Sequence, residues 1–100
     1  MGQGQPRIAQ SETDVTVRYW AAARAAAGVG EDRIPTDGPL TLAEVRVRAL
    51  ALHPGSDTLP RVIASCSVLV GDTPLGRRDP ADVTVAPGSS VEFLPPFAGG

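Results

Sequence analysis

Two consecutive prolines close the most strand-like stretch of this chain and constrain how its fold must end. Residues 90–94 (SVEFL) follow a Gly88-Ser89 turn signal and are rich in β-branched and aromatic types, the composition of a strand. Neither Pro95 nor Pro96 can donate a backbone N–H to a ladder, so the strand stops there. Proline also biases the residue before it toward extended geometry, which predicts a stiff arm leaving the domain. Phe97, Ala98, Gly99 and Gly100 follow. Two residues without a Cβ can enter a slot too narrow for any side chain. The arrangement reads as a terminal carboxylate held out as a chemical handle; the competing reading is a plain frayed end.

Residues 1–12 (MGQGQPRIAQSE) are polar, with Ile8 the only bulky apolar residue, and read as disordered. Residues 13–20 then alternate, with Val15, Val17 and Tyr19 on one face and Thr16, Arg18 and Trp20 on the other, as in a half-buried strand. The AAARAAA run at 21–27 predicts a short helix capped by Gly28. A short second strand fits around Arg33 and Ile34, and 36–39 is a turn. The best-signalled helix begins at Thr41, where Thr41 and Glu44 fit a capping box. Leu42, Val45, Ala49 and Leu52 form its apolar stripe, and His53-Pro54-Gly55 stops it. Residues 59–66 add a turn or two of helix, 67–70 a strand, and 73–75 a short extended piece. Residues 79–82 read as loop and 83–85 as a brief apolar stretch. The expected fold class is α+β, with one sheet wrapped over one main helix and the first and last strands central and adjacent.

With 100 residues the chain makes one domain with a modest core. A net charge of −2 predicts no strong attraction to nucleic acid or to a membrane, and no apolar run is long enough to span a bilayer. One cysteine, Cys66, excludes an internal disulfide and fits a reducing cytoplasm. All nine basic residues are arginine, so the chain has no lysine to accept an isopeptide bond. One Cys and one His make no metal cluster. His53 precedes Pro54 at a helix C-terminus, where a structural role suits the dipole. Cys66 lies between two serines with no basic partner evident, the setting of an inert thiol. Asp79, Asp82 and Glu92 read as acids of loops and an exposed face. No self-contained active site emerges.

Binding features are clearer. Alternation assigns Trp20 to the solvent face beside Arg18, and Leu94 to the outward face of the last strand. If those strands are neighbours, Trp20 and Leu94 form an exposed apolar patch beside the exit of the arm, extended by Phe97. The other placement turns Trp20 down onto the alanine helix as core.

Taken together, VTVRYWAAAR at 15–24, the helix at 42–54 and the ending FLPPFAGG resemble the small subunit of molybdopterin synthase. The resemblance runs from about Asp14 to Gly100, and Pro-Pro-x-x-Gly-Gly is its most specific motif. It is strongest toward the actinobacterial versions of this sulfur-carrier family. It implies a ubiquitin-like β-grasp, a mixed sheet packed on one main helix with an extra short helix after the first strand. Residues 1–12, 13–94 and 95–100 would be disordered segment, domain and extended tail. It further implies that an ATP-dependent adenylyltransferase of the ubiquitin-activating type adenylates Gly100, that sulfur displaces AMP to leave a thiocarboxylate, and that the large subunit receives the tail. Sulfur would then pass to cyclic pyranopterin monophosphate within a cytoplasmic heterotetramer. This chain would be the non-catalytic sulfur donor, with no bound cofactor or metal.

Carried over by position, Gly100 bears the sulfur, Gly99 passes the narrow channel, and Pro95, Pro96, Phe97 and Ala98 form the arm. Trp20, Arg24, Pro74, Leu75 and Leu94 fall at partner-binding positions. The segment Val70-Gly71-Asp72 lacks the Val-Asn that many members carry, and the first dozen residues are extra. Three other functions compete: a carrier for cysteine or thiamin synthesis, a protein modifier conjugated through Gly100, and an interaction module with an idle tail.

Overall fold

The computed structural model describes residues 13–96. The expected disorder of residues 1–12 and the placement of Phe97, Ala98, Gly99 and Gly100 lie outside the described residues.

Strand β1 (Asp14–Tyr19) buries Val15, Val17 and Tyr19 and turns Thr16 and Arg18 outward, as its alternation requires. It pairs antiparallel with β2 (Glu31–Pro35) and parallel with β7 (Ser90–Leu94). On its other side β7 pairs antiparallel with β4 (Ser67–Val70), which takes the two-residue β5 (Thr73–Pro74) at the far edge. The sheet order is β2-β1-β7-β4-β5, so the first and last strands are central and adjacent. A separate two-stranded ladder joins β3 (Leu40–Thr41) to β6 (Thr84–Val85), with Leu40 opposite Val85.

Three helices cover the inward face. Helix α1 (Ala21–Ala27) presents only Ala23 as a buried side chain, and Gly28 caps it at φ +80° with its N–H donating to Arg24 O. Helix α2 (Leu42–Ala51) carries the expected capping box: Glu44 N donates to Thr41 Oγ1 at 3.0 Å, and Thr41 N donates to Glu44 Oε1 at 2.8 Å. Those bonds favour the ionised carboxylate and hold Glu44 below the usual carboxyl range. Leu42, Val45 and Ala49 are buried against β-sheet residues including Val17, Val91 and Phe93. Helix α3 (Leu59–Ala64) adds Leu59 and Ile63 to the same core. A mixed five-stranded sheet wrapped over one principal helix is the ubiquitin-like β-grasp.

Four local expectations change. Leu52 is half-exposed rather than core: it is the C-cap residue, one position past the end of α2 at Ala51. The 79–82 loop contains a 3₁₀ turn at Pro80–Asp82, capped by Asp79 Oδ1 accepting from Ala81 N at 2.9 Å. Leu40, left unassigned between the turn and the helix, and Thr41, read as the cap, form a strand, because Val85 and Thr84 supply partners that local sequence does not reveal. Trp20 is the N-cap residue of α1 and not the last residue of β1.

Candidate functional site

The arm leaves from the middle of the sheet, not from an edge. β7 is hydrogen-bonded on both sides, and Leu94 still lies opposite Ser67 of β4 before Pro95 breaks the ladder. Pro95 is half-buried and Pro96 exposed.

An open, largely apolar cleft lies at that exit. It is lined by Val68 and Leu69 of β4, by Pro74 and Leu75, and by Leu94, Pro95 and Pro96. The sequence-predicted residues Pro74, Leu75, Leu94, Pro95 and Pro96 thus come together in one place. Its lip is fastened from behind. Arg78 Nη2 donates to Pro74 O at 2.9 Å, Arg78 Nε donates to Leu75 O at 3.2 Å, and Leu75 N donates to Val68 O. Cys66 also lines the cleft, half-buried, with Sγ donating to Val62 O at 3.2 Å. Burial pushes its thiol up and Arg46 opposes this only partly, so the group is kept as a thiol.

Trp20 is 46% exposed, so the core placement is excluded. Its backbone N–H donates to Phe93 O at 3.2 Å, continuing the β1–β7 pairing, and its indole Nε1 donates to Glu92 Oε1 at 2.9 Å. The next residue, Ala21, has φ +48°, a left-handed conformation that is uncommon outside glycine and turns the chain sharply into α1. Trp20 shares a shallow depression with Arg18, Arg24, Gly30 and Glu31. The Arg24 guanidinium lies over Gly30, with Cζ 3.6 Å from where a Cβ would stand. Trp20 and Arg24 are thus brought together, but in a depression separate from the cleft that holds Leu94.

His53 serves the fold. Its Nε2 pairs with Asp32 Oδ2, the oxygen that also accepts from Tyr19 Oη at 2.9 Å, and its ring meets Tyr19 edge-on at 5.8 Å. Among the described residues no group of three His, Cys, Asp or Glu side chains could hold a metal. No described helix is long and apolar enough to cross a membrane. Sequence reasoning passed over Leu69, Arg78 and Glu92 as site residues. The alternation of β7 placed Glu92 outward, but nothing local marked its indole partner, 72 positions away.

Comparison with known proteins bears on the family and the fold. The molybdopterin synthase sulfur carrier subunit of Aspergillus niger is 28% identical over 90 residues, covering 90% of this chain and 98% of that protein. The crystal structure of the protein SAMP1 from Haloferax volcanii superposes with a TM-score of 0.71 at 20% identity, over 87% of this chain and 99% of that one. Subunits 1 and 2 of the molybdopterin-converting factor of Helicobacter pylori form a protein–protein complex; the matching chain has a TM-score of 0.55 at 21% identity, over 87% and 99% of the two chains. The ThiS family matches residues 17–100, from within β1 through Gly100, and the chain belongs to the ThiS family.

Proposed function

We propose that this protein is the sulfur-carrier subunit of a molybdopterin synthase. The observation that carries the reading is the exit of the tail from a central strand beside an open apolar cleft. A carrier must present its terminus and a docking surface in a fixed relation, and Pro95, following a strand paired on both sides, starts the tail from a fixed point. The Aspergillus relative named for this activity supports the same reading, as does the family match reaching Gly100.

On this reading an ATP-dependent adenylyltransferase converts the Gly100 carboxylate to an acyl-adenylate, because a free carboxylate is a poor electrophile. Sulfide-level sulfur attacks the acyl carbon and AMP leaves with the mixed-anhydride oxygen, and the resulting thiocarboxylate is a nucleophile that the large subunit admits along Gly99. The acceptor is cyclic pyranopterin monophosphate, and two transfers complete its dithiolene in a cytoplasmic heterotetramer. This chain binds no cofactor of its own and supplies no catalytic side chain. Pro95, Pro96, Phe97 and Ala98 span the distance, while Pro74, Leu75, Leu94, Trp20 and Arg24 meet the partners.

Reconstitution tests this. Chain bearing a Gly100 thiocarboxylate, mixed with the large subunit and cyclic pyranopterin monophosphate, yields molybdopterin, while chain lacking Gly99 and Gly100 folds and yields none. Product without the two glycines overturns the proposal. The same fold occurs in SAMP1, at an identity that carries the fold alone. Isopeptide-linked Gly-Gly remnants on other cell proteins, without sulfur transfer, mark the modifier function instead.

A further inference from the structure

Glu92 stands in a straight row across the outward face of the sheet. Register sets Glu31, Arg18, Glu92, Leu69 and Pro74 side by side on β2, β1, β7, β4 and β5. The row passes from charged to apolar, and Glu92 is its last charge before the cleft. Its neighbour Arg18 is drawn the other way, with Nε 3.6 Å from Glu31 Oε1, while Arg33 approaches the other Glu31 oxygen at 3.9 Å. The Glu92 carboxylate is engaged instead by the indole of Trp20 at 2.9 Å.

We infer that Glu92 is a positioning residue that holds the Trp20 indole in one orientation on the outer face, ready for the partner; this rests on the partner-surface reading of Trp20 given above. The Trp20 main chain is already fixed by its bond to Phe93 O and by the sharp turn at Ala21. Only the two side-chain torsions remain free, and the bond to Glu92 removes that freedom before docking. Ordering a large exposed side chain during association costs affinity, and preorganisation avoids the cost. Indole Nε1 is a donor only, so a carboxylate or amide oxygen at position 92 suffices and a methyl does not.

The chain has a single tryptophan, so its fluorescence reports this side chain alone. Time-resolved anisotropy of the full chain shows fast indole motion in Glu92→Ala that is absent from the wild type and from Glu92→Gln. Affinity for the molybdopterin synthase large subunit falls roughly three- to tenfold in Glu92→Ala and stays near wild type in Glu92→Gln. In a Trp20→Ala background, Glu92→Ala has no further effect. Equal indole mobility in all three proteins overturns the inference. So does an equal loss of affinity in both backgrounds, which makes Glu92 a direct contact. A loss in Trp20→Ala with none in Glu92→Ala removes the role of Glu92 and leaves the partner surface standing. An unchanged affinity in Trp20→Ala overturns the partner surface and this role with it.

Discussion

The hydroxyl of Tyr19 donates to Asp32 Oδ2 at 2.9 Å, and His53 Nε2 closes on the same oxygen, tying β1, β2 and the end of α2 at one point. Burial, then the bond and the charge of Asp32, raise the Tyr19 hydroxyl well above its ordinary value of 10.0. A raised pKa means that the folded state holds this proton where the unfolded chain has released it. The stabilisation is therefore complete below pH 10 and declines as pH rises beyond it. Urea midpoints measured from pH 8 to 11.5 fall above about pH 10. Tyr19→Phe flattens that decline, at a cost of about 1 kcal/mol near neutrality for the lost bond. An equal decline in the variant assigns it elsewhere.

Trp20→Ala leaves the fold intact, because the side chain is half-exposed and its main-chain bonds remain. On the proposed function, affinity for a molybdopterin synthase large subunit, measured by calorimetry, falls by ~2 kcal/mol or more, the magnitude of an interface hot spot. An unchanged dissociation constant removes Trp20 from the partner surface.

Arg78→Ala removes two bonds that fasten the lip of the cleft at Pro74 and Leu75. Both are exposed, so global stability changes by less than about 1 kcal/mol. The Leu75 N–H, bonded to Val68 O, exchanges faster with solvent, and partner affinity drops several-fold with it. Unaltered exchange at Leu75 shows that the lip holds without the arginine.

Thr41→Ala breaks the capping box at the start of the main helix and costs about 1 kcal/mol of stability. Thermal unfolding checks this, and on the proposed function large-subunit affinity is unchanged, because Thr41 lines neither the cleft at Leu94 nor the depression at Trp20.

The sequence disclosed the elements whose signals are local. Val15, Val17 and Tyr19 alternate, Thr41 and Glu44 box the helix, and Gly28 ends the alanine run; each works within a few residues of itself. The β3–β6 ladder was hidden because Leu40 and Val85 acquire strand character only from each other. Leu52 misled because the apolar spacing runs one residue past the end of the helix, where the C-cap residue no longer faces the core. At the site, outward placement of Trp20 and Leu94 was legible from alternation, and the adjacency of their strands from apolar content. The Trp20–Glu92 bond and the Arg78 clamp were not, since each depends on side chains meeting across tertiary distance or around a loop.

The most direct test of the account is the intact mass of the protein purified from its native host, with the change located on its C-terminal peptide. A sulfur carrier yields a species heavier by about 16 Da, the replacement of one oxygen by sulfur, lying on Gly100 rather than on Met1 or Cys66, whose oxidation adds nearly the same mass. A free carboxylate on Gly100, persisting after incubation with ATP, a sulfur source and the activating enzyme, contradicts it.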